Sequence, residues 1–286
     1  MIRSAAAAAP AGRFLETPRG RIFCMHSPVR AEGCLVVVPP FADEMNRSRR
    51  MWNLLAAQLA AKGVGTLIAD LYGTGESDGD FADARWESWC EDLDVVCRFA
   101  REAGTRRIAL LGVRLGALLA LDYQRRIAGQ PASDGGIVQL ILWQPVLDGR
   151  QNMNQFLRLK LAAGLRTSAA VKETTASLRE RLARGEKLEV AGYELAPELL
   201  AAVDAIDGQS LAPTSIARVD WLEVSTNEAR VLMPASQRML EAWRAAGVNV
   251  HGRVVRGEAF WALQEITTAP ELIALTRDVA TEALAG

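Results

Sequence analysis

Residues 108–123 read IALLGVRLGALLALDY, and this stretch decides the fold. An apolar strand over 108–111 runs into Gly112-Val113-Arg114-Leu115-Gly116 and directly on into an apolar helix. That is the strand, tight turn and helix that a G-x-S-x-G nucleophile elbow requires. Small residues at Gly112, Gly116 and Ala117 let such a turn close against neighbouring backbone, while the central residue is held outward in a strained conformation. Here the central residue is Arg114. A guanidinium is always charged, only donates hydrogen bonds and cannot attack a carbonyl. The sequence therefore carries the scaffold of the motif without its nucleophile.

A second match, Gly75-Glu76-Ser77-Asp78-Gly79, also follows an apolar stretch, at 64–71. It continues into Asp80-Phe81-Ala82-Asp83, which is polar and turn-like, so no apolar helix opens after Ser77. Ser77 reads as a loop serine among turn-forming glycines.

Outward from the elbow, strand and helix patterns alternate. Strands are expected at 20–26, 34–38, 64–71, 137–143, 220–225 and 248–256. Helices are expected at 48–61, with Met51, Leu54, Leu55 and Leu59 on one face, at 86–103, closed by Gly104, and at 271–284. Such alternation predicts an α/β protein with a doubly wound, mostly parallel sheet. Ligands bind such sheets beyond the carboxyl ends of the strands, where Phe41, Arg114 and the loop after Trp143 should meet.

Between 149 and 211 the pattern turns helical, with no convincing strand. Phe156, Leu157, Leu161 and Leu165 alternate there with Arg158, Lys160 and Arg166 as an amphipathic segment. From Arg158 to Lys187 there are eight Lys or Arg against three Glu, an excess of five. This reads as the solvated face of a cap over the site, or as a docking surface for an acidic partner or membrane. The expected organisation is a disordered leader at 1–13, a core from 14–148 and 212–286, and a helical cap insertion at 149–211.

Composition bounds the function. The 286 residues are 50% hydrophobic, enough for one large α/β domain with an insertion. A net charge of -1 and a pI near 6.2 leave no basic field for nucleic acid. Apolar runs are of core-strand length, too short for a transmembrane segment. Arg3 and the run Ala5 to Ala9 imitate a signal peptide, but five alanines followed by Pro10 make a poor apolar region, so a cytoplasmic location is expected. Cys24, Cys34, Cys90 and Cys97 form no metal or redox motif, and two histidines do not supply a multi-His site, so neither cofactor nor metal is expected.

Pro39-Pro40-Phe41 after one strand, the run from Asp70 through Gly79 after the next, and the elbow resemble the α/β-hydrolase fold in order and spacing, over residues 18–285. More narrowly, GVRLGA, GYELAP (192–197) and GEAFW (257–261) resemble hydrolase 2 of the exosortase A system. That family is encoded in bacterial loci that pair protein sorting with exopolysaccharide synthesis, beside a distinct second hydrolase.

The resemblance implies a nucleophile at the elbow, a carboxylate after a later strand and a histidine after the last. For the carboxylate, Glu228 stands about where the acid belongs, and Asp148 after Trp143 is a second choice. For the histidine, the loop after the last strand reads Gly257-Glu258-Ala259-Phe260-Trp261, while His251 falls too early and His26 lies in an early strand. An oxyanion hole uses backbone N–H groups, which Phe41 or Ala42 and Leu115 could donate whatever their side chains.

A guanidinium in a partly closed site needs a partner. Asp43, Glu44, Glu228 and Glu258 all fall in loops expected at that end of the sheet, and the expected pairing is Arg114 with Glu228 or Glu258. Three functions compete. One is a hydrolase-fold binding or regulatory subunit without serine catalysis, partnered by the companion hydrolase or by itself. Another is a hydrolase of an ester, thioester or acyl-glycan that activates water with Glu228 or Glu258. The third is a carrier of a small anionic or acyl ligand held at Arg114 under the cap.

Overall fold

The structure, a computed structural model, describes residues 10–27, 33–128, 136–164, 173–213 and 215–284. In chain order the sheet strands are β1 (Ala11–Thr17), β2 (Gly20–His26), β3 (Gly33–Val38), β4 (Gly65–Ala69), β5 (Arg107–Val113), β6 (Ile137–Trp143), β9 (Arg218–Ser225) and β10 (Val250–Arg256). They form one eight-stranded sheet in the order β1-β2-β4-β3-β5-β6-β9-β10. The pairs β1–β2 and β2–β4 are antiparallel, and every pair from β4 to β10 is parallel.

Because side chains alternate along each strand, the sheet feeds two cores. Leu35 and Val37 of β3 face helices α1 (Asp43–Ala60) and α8 (Pro270–Leu284). Val36 and Val38 face α2 (Trp86–Glu102), α3 (Leu115–Ile127) and α7 (Pro234–Ala245). The six residues of β3 are all buried, which explains their unbroken apolar run.

Four sequence expectations change. Residues 11–13 of the expected leader belong to β1, an edge strand in which only Leu15 is buried, so the alternation was too weak to register. The rest of that leader, 1–9, lies outside the described residues. Helix α1 begins at Asp43, five residues before the expected start, because its buried stripe continues through Ser48 to Met45. Helix α7 carried no expectation, although Pro234 opens it and Met239, Leu240 and Trp243 are its buried face.

The fourth change is in the 149–211 segment. Between α4 (Gly149–Gly164), α5 (Thr175–Ala183) and α6 (Pro197–Asp204), it contains a hairpin, β7 (Leu188–Val190) with β8 (Tyr193–Leu195). Three-residue strands leave no period to count. The turn between them rests on Ala191 and Gly192, both at positive φ.

Ser77 sits where a loop serine should. Its Oγ accepts from Phe23 N at 2.8 Å and donates to the Asp70 carbonyl at 2.6 Å, tying the 70–79 loop to β2. All four cysteines are buried with free thiols.

Candidate functional site

The elbow keeps its geometry. Arg114 lies between β5 and α3 with φ 54° and ψ -118°, a conformation that L side chains adopt only under strain. The two glycines are required by contact. A Cβ on Gly112 would come within 2.5 Å of Ala117 Cα, and one on Gly116 would collide with the carbonyl oxygens of Val38 and Pro39. This is why a sequence without the serine retains the spacing of the motif.

Arg114 is anchored on three sides. Its Nε donates to Glu44 Oε1 at 3.4 Å, and its Nη1 donates to the Gln144 carbonyl at 3.2 Å. Its guanidinium carbon lies 5.1 Å from the centre of the Trp261 ring. The side chain is 17% exposed. The expected pairing with Glu228 or Glu258 is therefore corrected: the carboxylate is Glu44, in the first turn of α1 and not in a loop. Glu228 and Glu258 are both exposed in their loops, and neither forms a salt bridge among the described residues. Asp148 is exposed too, and its Oδ1 accepts from Gln151 N at 2.9 Å, which caps the start of α4.

The loop after β10 brings Trp261 to the place where the fold would present a histidine to the elbow. Trp261 packs edge-to-face on Phe260 at 5.0 Å, and Phe260 on Trp143 at 6.0 Å, so the indole is backed by core aromatics. Neither histidine is near. His251 is exposed at the start of β10, the edge strand, at the end of the parallel strands away from the elbow. His26 ends β2 against the Phe99 ring, and burial, with the Arg13 charge, lowers its pKa.

Phe41, Ala42 and Leu115 lie around one small cavity. Ala42, at φ 52° and ψ -130°, opens α1 in nearly the conformation that Arg114 uses to open α3. The first turns of the two helices meet around a cavity of about 20 Å³ lined in part by Phe41, Ala42, Leu115 and Gly116. First-turn N–H groups have no partner within their own helix. Phe41 holds the loop in place by edge contacts with Phe81 at 5.4 Å and Phe156 of α4 at 4.9 Å.

Above this floor lies a cleft of about 570 Å³ between α4 and the core, walled by Phe156, Leu159, Ala162, Ala163 and Trp261, with Asp43, Glu44 and Arg47 at its base. Arg47 is held by Asp43 at 2.5 Å and donates to the Ala262 and Leu263 carbonyls. Burial raises the pKa of Glu44, and the Arg114 and Arg47 charges oppose that rise. Its Oε2 is buried without a hydrogen-bond partner. No group of three His, Cys, Asp or Glu side chains among the described residues could hold a metal.

Three participants escaped the sequence reading. Gln144, at φ 41°, accepts from Arg114 through its carbonyl and from Val224 N through its side chain at 3.1 Å, bridging β6 to β9. Arg47 reads as a surface residue of a helix. Glu223 is one of two buried carboxylates in β9, with Asp220; it accepts from Trp221 Nε1 at 2.9 Å and from Met233 N at 3.1 Å and so shapes the loop after β9.

The sheet order, the elbow between β5 and α3 and the helical insertion after β6 define an α/β-hydrolase fold. Residues 30–198, more than half of the chain, match the family described as serine aminopeptidase, S33, and the chain belongs to that family. No curated protein matches it. Among solved structures it is similar to Est1E from Butyrivibrio proteoclasticus with ferulic acid bound, at 16% identity and a TM-score of 0.63, over 96% of this chain and 100% of that one. It is similar also to the α/β hydrolase GrgF from Penicillium sp. sh18, at 14% identity and a TM-score of 0.63, over 98% of this chain and 100% of that one. The thioesterase domain from the curacin biosynthetic pathway gives 14% identity and a TM-score of 0.57, over 96% and 99% of the two chains. At these identities the likeness concerns the fold.

Proposed function

We propose that this protein is a non-catalytic member of its hydrolase family that binds a ligand in the cleft and serves as a binding or partner subunit. The observation that carries the reading is Arg114 at the elbow, sealed against Trp261 in the loop where a general base belongs. An elbow without a nucleophile, facing an indole instead of an imidazole, offers neither the attacking group nor the proton acceptor of the serine mechanism. The cleft, the strained elbow and the helix N-termini remain, and those are binding features. The water-activating alternative finds less support, because Glu228 and Glu258 are exposed in their loops and do not line the cleft.

The resemblance of GVRLGA, GYELAP and GEAFW to the exosortase-associated family supports a place beside the second hydrolase of such a locus. Four buried free thiols suit a reducing, cytoplasmic compartment, and no helix of the described residues is long and apolar enough to cross a membrane.

The test is hydrolysis of short-chain p-nitrophenyl esters and acyl thioesters by the wild type beside Arg114→Ser, with a fluorophosphonate probe of serine nucleophiles. No turnover and no labelling by the wild type is expected. Turnover by the wild type would overturn the reading. Size-exclusion chromatography with and without the companion hydrolase then separates a partnered subunit from self-association.

A further inference from the structure

The sequence points to an anion at Arg114, and the geometry points the other way. Resting on the reading that the cleft binds a ligand, we propose that the ligand is an amphiphile whose apolar chain lies along α4 and whose head is cationic or neutral and donates hydrogen bonds, with Glu44 as its acceptor.

The argument starts from what the cations at the cleft already do. Arg114 gives its Nε–H to Glu44 and one Nη1–H to the Gln144 carbonyl, and its guanidinium faces the Trp261 ring. Arg47 is spent on Asp43 and two backbone carbonyls. Of the two, only Arg47 lines the cleft, and turning it to an incoming anion would leave Asp43 and two backbone carbonyls without their donor, which is costly. The first turn of α1 would attract an anion through its N–H groups and dipole. Asp43 and Glu44 already occupy that turn.

The acceptors, by contrast, are under-used. Glu44 receives one long hydrogen bond, at 3.4 Å, and its Oε2 has none. The Glu44 side chain is 27% exposed and lines the cleft. Of the charged side chains lining the cleft, two are acidic and one is basic. A donor arriving there adds a second charge-assisted bond to a carboxylate that holds only one, long one, and an anion meets two carboxylates against one guanidinium in the cleft lining.

The walls specify the rest of the molecule. Leu159 is 51% exposed on a helix that buries Met153, Phe156 and Leu157, and it shares the cleft wall with Ala162 and Ala163. An alkyl chain lying against these residues removes apolar surface from water. The amides of Asn152, Gln155 and Gln264 serve the polar groups between chain and head.

The experiment is calorimetric titration of the full chain at pH 7 with three probes of equal chain length, octylamine, octanol and octanoate, each below its micellar concentration. The wild type is expected to bind octylamine at least about tenfold more tightly than octanoate, with octanol between them. Glu44→Gln is expected to remove that preference, since the neutral amide leaves the Arg114 charge uncompensated. Leu159→Glu, a change at an exposed position, is expected to weaken octylamine and octanol alike. Octanoate binding as tightly as octylamine, or a preference unchanged in Glu44→Gln, would overturn the proposal and leave the binding reading standing. Failure of all three probes would overturn both.

Discussion

The guanidinium of Arg114 stands over the ring of Trp261, 5.1 Å from its centre, at the point where the elbow and the loop after the last strand meet. In a working hydrolase of this fold the same two positions would hold a nucleophile and its base. Here they hold a cation and an aromatic face, whose attraction is electrostatic and worth about 0.5–2 kcal/mol. The contact holds the loop after β10 against the elbow.

Replacing Arg114 with Ser should therefore cost stability without conferring activity. The substitution leaves Glu44 partly buried without its one donor, and the expected loss is about 1–3 kcal/mol in urea denaturation. Adding Glu44→Gln should return part of that loss, because the stranded charge is gone. Strictly additive losses in the double variant would show that the two side chains do not act as a pair.

Trp261→Ala should destabilise by about 3–5 kcal/mol, since it empties a buried aromatic site backed by Phe260. A midpoint of thermal unfolding unchanged from wild type would refute the account of this loop as part of the core.

Ser77→Ala tests the other G-x-S-x-G match. Loss of the bonds to Phe23 N and the Asp70 carbonyl should cost about 1–2 kcal/mol and leave fluorophosphonate labelling at the wild-type level. Wild-type labelling that disappears in Ser77→Ala would make Ser77 a nucleophile.

Gly116→Ala should be poorly tolerated, because its Cβ meets the backbone of Val38 and Pro39 and backbone cannot move aside cheaply. Gly63→Ala meets nothing within 4 Å and bears only the penalty of positive φ, about 1 kcal/mol. Equal stability of the two variants would contradict the close approach of α3 to β3.

Asp92 supplies a pH signature. Burial in α2 pushes its carboxyl up to about 6, against the N–H of Tyr72 at 2.7 Å, which favours the charged form. The folded protein thus holds the proton where the unfolded chain, titrating near 4, has released it. Stability attributable to Asp92 is full below about pH 4 and is lost as pH rises towards about 6. Asp92→Asn should flatten that part of the stability profile and raise stability at pH 7 by about 1–3 kcal/mol. An unchanged slope between pH 4 and 6 would assign the pH dependence elsewhere.

Much of this was legible along the chain. The run 108–123 specified strand, elbow and helix because the close approach of backbones at Gly112 and Gly116 is written in the residues themselves. Buried strands declared themselves as apolar runs, and Arg114 excluded a serine nucleophile at the elbow by identity alone. Short or one-sided elements did not declare themselves: β1 buries one residue, and the β7–β8 hairpin is too brief for a period.

The partner of Arg114 belongs to the tertiary structure. Glu44 lies 70 residues away, and only the parallel pairing of β3 with β5 brings the start of α1 beside the elbow. The sequence favoured Glu228 or Glu258 among four carboxylates, and the turn of one helix selected Glu44 instead. The sequence by itself determined the chemistry missing from the elbow, since that follows from residue type. Which carboxylate meets its charge, only the packing of distant segments decided, because electrostatic partnership depends on distance in space and not along the chain.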